Sequence, residues 1–105
     1  MRAMDYLDFA KIREDQGYRL IDVREPDEYE EVHVKGAENF PLSRLNGGER
    51  FAEDGRPVAI ICRSGKRSAS ACMLLEGEGQ AEFVNVEGGT LAAIDAGEEH
   101  VVRVH

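Results

Sequence analysis

The chain has 105 residues, 42% of them hydrophobic, and its 21 acidic and 13 basic side chains give a net charge of −8. That length makes one domain, residues 1–105, with a core large enough to stand without disulfide or metal staples, and the composition excludes a disordered chain. The acidic balance excludes nucleic acid and anionic membrane as principal partners, because both demand a basic footprint.

Residues 5–16 mix polar and apolar positions and predict a weak short strand or turn, then a helix to about Gln16. Leu7, Ala10 and Ile12 are its inward candidates, and Gly17 is placed to end it. Arg19–Arg24 reads as a strand, with Leu20, Ile21 and Val23 apolar and Asp22 and Arg24 at its end, where open α/β sheets collect functional groups. Pro26 stops the strand and opens a short acidic helix over residues 27–31. Residues 33–42 predict a turn and a brief extended segment, and residues 43–53 a short helix and loop anchored by Leu45 and Phe51. Asp54-Gly55-Arg56-Pro57 is a turn signal.

Val58-Ala59-Ile60-Ile61 then predicts a short buried strand, ending on Cys62. A basic loop, Arg63-Ser64-Gly65-Lys66-Arg67, leads to a helix expected to open at Ser68 and run to about Glu78, with Ala69, Cys72 and Met73 inward and Ala71, Leu74 and Leu75 widening that face. Residues 82–86 predict another strand, residues 90–96 a helix, and residues 101–104 a terminal extended piece. Strands alternating with helices imply an α/β domain: a mostly parallel central sheet of about five strands, flanked by helices on both faces.

A thiol at the carboxyl end of a buried strand and the amino end of a helix faces backbone N–H groups that lack intrahelical partners. Its pKa should fall below the roughly 8.5 of a free cysteine, and Arg63, Lys66 and Arg67 should push it the same way. Three cations within five residues of an acidic chain suggest a funnel for anions. Two cysteines ten residues apart match no zinc pattern and no C-x-x-C redox pair, so no metal or other cofactor is expected. No apolar run approaches the ~20 residues that span a bilayer, and the N-terminus lacks the apolar core of a secretory signal, so no membrane association and a cytoplasmic location are expected.

The segment Cys62-Arg63-Ser64-Gly65-Lys66-Arg67-Ser68 resembles the active-site loop of the rhodanese family of single-domain sulfurtransferases. Further fragments match in order: Asp22-Val23-Arg24 before an acidic helix, His33-Val34-Lys35-Gly36-Ala37, and Val86-Glu87-Gly88-Gly89. The sequence departs from the family in two places. Lys35 stands where proline is frequent, and Ala93 where an aromatic, usually tryptophan, is common. The resemblance implies a rhodanese-like fold and a sulfane sulfur carried on a Cys62 persulfide. The sulfur would come from a small anionic donor such as thiosulfate and pass to cyanide, a small thiol or a protein thiol. The alternative is a carrier or binding module loaded by a partner protein. In this reading Arg63, Ser64, Gly65, Lys66, Arg67 and Ser68 form the substrate-binding loop, with Ser68 capping the helix first of all and also placed to donate toward the sulfur. Asp22 and Arg24 pair to support the loop, His33 is bonded within its own turn, and Cys72 is a small core residue. A cysteine phosphatase is rejected because its loop places five residues between cysteine and arginine, whereas Arg67 follows Cys62 after four.

Overall fold

Val58–Ile61 form the predicted strand, and all four residues are buried because this strand is the middle one of a sheet covered on both sides. The computed structural model describes residues 1–79 and 82–103. In chain order the elements are β1 (Arg2–Asp5), α1 (Tyr6–Ile12), β2 (Arg19–Asp22), α2 (Pro26–Glu31), β3 (Val32–Val34), β4 (Glu38–Asn39), α3 (Leu42–Asn46), β5 (Val58–Ile61), α4 (Lys66–Gly77), β6 (Val84–Glu87), α5 (Gly89–Ala96), a single 3-10 turn (Glu98–His100) and β7 (Val101–Arg103). Five strands make one sheet in the order β1-β6-β5-β2-β4, with every pair parallel.

Two apolar cores lie on opposite faces of this sheet, because successive side chains of a strand point to opposite sides. Leu20, Ala59, Ile61, Val84 and Val86 pack with Tyr6 and Phe9 of α1 and Ala93 of α5. Ile21, Val58, Ile60 and Cys62 pack with Leu45 of α3 and with Ala71, Cys72 and Leu75 of α4. The fold is therefore α/β with helices on both faces, as the alternation of elements predicts.

Several local expectations are corrected. Helix α1 ends at Ile12 rather than near Gln16, and residues 13–17 form turns in which the Tyr18 N–H reaches back to the Arg13 carbonyl across Gly17. Because the helix begins at Tyr6, its fully buried residues are Tyr6 and Phe9; Ala10 packs against the same core as expected, whereas Leu7 is 51% exposed. The weak strand or turn expected at residue 5 is an edge strand that starts at Arg2 and pairs with β6. Helix α4 opens at Lys66, two residues before Ser68, and its Met73 is 65% exposed, outside the stripe of Ala71, Cys72 and Leu75. The extended piece after residue 100 forms an antiparallel pair with β3, Val34 opposite Val101, and only Val104 of that expected piece lies outside the described residues.

The two departures from the family pattern each have a structural counterpart. The backbone N–H of Lys35 donates to the His100 carbonyl at 3.0 Å, a bond that proline cannot make, and it ties the turn after β3 to the chain just before β7. Ala93 is fully buried in the core beside Tyr6 and Phe9. Among the described residues, no helix is long and apolar enough to cross a membrane.

Candidate active site

The site forms where β5 ends. Ile61 is the last strand residue, Cys62 follows with 1% of its surface exposed, and residues 63–65 turn the chain into α4. Gly65 makes this turn with φ +109°, a backbone conformation that side chains with a Cβ rarely adopt, and it stands as the N-cap of α4. The turn brings the Gly65 N–H to 3.1 Å from Cys62 Sγ. Ser68, in the first turn of α4, lies with its Oγ 3.4 Å from the same sulfur.

Burial is the largest single influence on the Cys62 thiol and raises its pKa. Hydrogen bonds from the Ser68 side chain and from the backbone N–H groups of Ser68, Gly65 and Ser64 together outweigh it, and the net result is a pKa below the ordinary cysteine range. The loop amides and one hydroxyl do what the sequence assigned partly to cations. Arg67 interacts with the Cys62 charge, but its guanidinium is committed to Glu28 through bonds of 2.7 and 2.9 Å. That pairing holds the Glu28 carboxyl down at about 2. Arg63 and Lys66 are exposed, and among the described residues neither has an ion-pair partner, so two cations remain at the mouth rather than three.

Ser68 does not cap α4, contrary to expectation, because the helix starts two residues earlier than its sequence suggests. The hydroxyl is buried and donates to Asn85 Oδ1 at 2.5 Å, while Asn85 Nδ2 donates to the Gly65 carbonyl at 3.2 Å. Asn85 sits between Val84 and Val86 on β6 and so points to the opposite face from them, toward α4 and the loop. Sequence reading passed over it; the available signal was one amide inside an otherwise apolar strand.

The N-terminus of α5 closes the loop from the other side. Thr90 N–H and Oγ1 both donate to the Cys62 carbonyl, at 2.9 and 3.2 Å, and Leu91 N–H donates to the Arg63 carbonyl at 3.1 Å. This contact explains the Gly88-Gly89 pair. A Cβ on Gly89 would collide with the Cys62 carbonyl oxygen and lie 2.6 Å from that of Arg63, so helix and loop meet at a distance only glycine allows.

Asp22 and Arg24 form a buried ion pair at the end of β2, with Arg24 Nη2 2.9 Å from Asp22 Oδ2 and 2.6 Å from the Val32 carbonyl. Asn39 Nδ2 donates to the Asp22 and Arg24 carbonyls at 3.0 and 2.9 Å, a lock absent from the sequence expectation. Arg24, Glu28, Arg63, Thr90 and Leu91 line one cleft of about 260 Å³ that adjoins the loop. His33 instead stacks on Tyr29 at 3.9 Å and donates Nδ1–H to the Tyr29 carbonyl at 2.8 Å. Cys72 is buried on α4, where burial pushes its thiol up to about 12, and both cysteines are free. Among the described residues, no cluster of His, Cys, Asp and Glu is arranged to hold a metal ion.

Residues 6–95 match the family model for the rhodanese-like domain. The uncharacterized protein YqhL of Bacillus subtilis is 42% identical over 76 residues, which cover 70% of this chain and 60% of that protein, so the chain spans about three fifths of that relative's length. The thiosulfate sulfurtransferase GlpE of Pseudomonas syringae pv. syringae is 30% identical over 80 residues, 76% of each protein. A crystal structure of a rhodanese-related protein from Thermoplasma volcanium superposes with a TM-score of 0.84 at 32% identity, covering 97% of this chain and 98% of the other.

Proposed function

This chain belongs to the rhodanese-like domain family, and on that premise we propose that it is a sulfurtransferase working through a persulfide on Cys62. The observation that carries the reading is the cradle around one sulfur: Gly65 N–H at 3.1 Å and the Ser68 hydroxyl at 3.4 Å, on a thiol whose pKa is lowered. Such an arrangement favours the thiolate, the reactive form of cysteine. In the first half-reaction the Cys62 thiolate attacks the outer sulfur of thiosulfate. A Cys62 S–S bond forms, the donor S–S bond breaks, and sulfite leaves with the bonding pair. In the second, an acceptor such as cyanide attacks the outer sulfur of the persulfide, thiocyanate departs, and the thiolate is restored. The scheme is double-displacement covalent catalysis and needs no general base beyond the loop.

Arg63 and Lys66 attract the anionic donor, the amides of residues 64, 65 and 68 hold the sulfur, and the Asp22–Arg24 pair with Asn39 stiffens the neighbouring strand end. Two free cysteines suit a reducing compartment such as the cytoplasm.

A carrier loaded by a partner protein is the second reading, favoured by one observation: Glu28 takes up Arg67, which leaves a mouth of mixed charge for a small dianion. Intact-protein mass spectrometry before and after thiosulfate, on the wild type and on Cys62→Ser, decides between them. The enzyme reading expects a gain of one sulfur atom in the wild type alone, removed by cyanide with release of thiocyanate. No gain from thiosulfate, with loading by a protein persulfide, replaces it with the carrier.

A further inference from the structure

The Ser68 hydroxyl has one hydrogen and two claimants. Asn85 Oδ1 is 2.5 Å away, and Cys62 Sγ is 3.4 Å away on the other side. The orientation of the Asn85 amide follows from chemistry: its Nδ2 faces the Gly65 carbonyl at 3.2 Å, which only accepts, so its Oδ1 must face Ser68. While Cys62 is protonated, the short bond takes the hydrogen, and the long contact leaves the thiol to donate S–H toward Oγ. A thiolate has no hydrogen to give and requires one.

We propose that Asn85 is a positioning residue that competes with the Cys62 thiolate for the Ser68 hydrogen. The hydroxyl points to Asn85 while Cys62 is a thiol or a persulfide, and swings to sulfur only while Cys62 is the free thiolate. The swing moves no charge and breaks no covalent bond. Ionisation sends the Cys62 proton to solvent, and the hydroxyl rotates about its C–O bond, exchanging a neutral acceptor for an anionic one. When the persulfide forms, the negative charge resides on the outer sulfur, the inner sulfur is no longer an anion, and the hydrogen returns to Asn85.

The competition has an energetic basis. Asn85 is only 4% exposed, so its Oδ1 gives up a buried bond each time the thiolate is stabilised. That loss opposes the free thiolate and not the persulfide, so Asn85 shifts the balance between the two covalent states of the cycle toward the persulfide. The same residue clamps the Gly65 carbonyl and so positions the N–H that serves the sulfur. One amide thus governs both donors. The inference rests on the reading of Cys62 as nucleophile, but its test does not require sulfur transfer.

Other groups face Cys62 as well. Arg63 and Lys66 stand on the loop side, Arg67 is held by Glu28, the Asp22–Arg24 pair lies at the end of β2, and burial pushes the Cys72 thiol on α4 up to about 12, outside the working range. Their fields reach Asn85 through space, so the test must separate the hydroxyl from them.

The experiment is an NMR titration of the isotopically labelled protein, following the Asn85 side-chain amide and Cys62 Cβ, in the wild type and in Ser68→Ala. In the wild type the Asn85 amide resonances should move with the Cys62 midpoint. In Ser68→Ala the tracking should fall to the small part carried through Gly65 and through space, and the Cys62 midpoint should rise by about one pH unit, the loss of one hydrogen bond to a charged acceptor. Asn85→Asp, which grips the hydroxyl harder, should raise the Cys62 midpoint more in the Ser68 background than in Ser68→Ala. Flat Asn85 resonances in the wild type overturn the proposal, and so does tracking of undiminished amplitude in Ser68→Ala. If instead the coupling is found and thiosulfate never loads Cys62, the competition stands and the sulfurtransferase reading falls.

Discussion

Gly89→Ala is the substitution whose consequence the geometry states most sharply. Gly89 has φ +57°, and an added methyl would lie 2.6 Å from the Arg63 carbonyl oxygen and closer still to that of Cys62. Both obstacles are backbone, so no side chain can swing aside. The positive φ costs about 1 kcal/mol for alanine, and forcing helix and loop apart adds about 2 kcal/mol, typical of overpacking. A total of about 3 kcal/mol is a large part of the ~5–15 kcal/mol that holds a domain of this size, and lowers Tm by roughly 12–24 °C. The movement also loosens the bonds from Thr90 and Leu91 to the Cys62 and Arg63 carbonyls, now 2.9 and 3.1 Å, so persulfide loading should fall along with stability. Gly79→Ala is the control, since Gly79 has φ +82° and nothing within 4 Å of its would-be Cβ. It should lose only about 1 kcal/mol. Urea melts of the two variants, with mass-spectrometric loading by thiosulfate, make the comparison. Equal destabilisation would refute the claim that α5 and the active loop meet at glycine distance.

Three further outcomes are expected. Iodoacetamide at neutral pH should alkylate Cys62 and spare Cys72, whose thiol is buried and held at about 12, and peptide mapping of a native sample that shows two labels contradicts this. Glu28, lowered from 4.5 to about 2 mainly by its bonds to Arg67, contributes stability that is fully present above about pH 4.5 and is lost as pH falls toward 2. Because the pair is about one-third exposed, the contribution is about 1 kcal/mol rather than the full shift, and acid denaturation of Glu28→Gln should show a correspondingly flatter limb. Arg24→Ala strands the buried Asp22 carboxylate and should destabilise by about 3–5 kcal/mol in urea, whereas a loss below 1 kcal/mol would show that Asp22 finds another partner.

The elements that carry the site were legible where their cause was local. Val58–Ile61 is a strand because four apolar residues, three of them β-branched, follow a turn signal, and Gly65 marks a turn because its backbone must take a positive φ. Pro26 opened α2 as expected, and the Asp22–Arg24 pair formed two residues apart on one strand end. The helix boundaries were less legible. Ser68 has the chemistry of a cap, yet α4 began at Lys66, because the Gly65 turn already satisfied the geometry of a helix start.

What sequence alone determined, then, was the strand, the cysteine at its end, the glycine turn and the basic loop, since each depends on neighbours along the chain. Only the tertiary structure decided how these are used. Glu28 and Arg67 are 39 residues apart, Ser68 and Asn85 are 17 apart, and Thr90 meets the Cys62 carbonyl from 28 residues away. Each of those contacts exists because parallel strands joined by crossover helices bring several loops to the same edge of the sheet, and no local pattern records which loop meets which. For the same reason, cations counted along the loop overstated its charge: one of the three belongs to a carboxylate that the fold supplies from another helix.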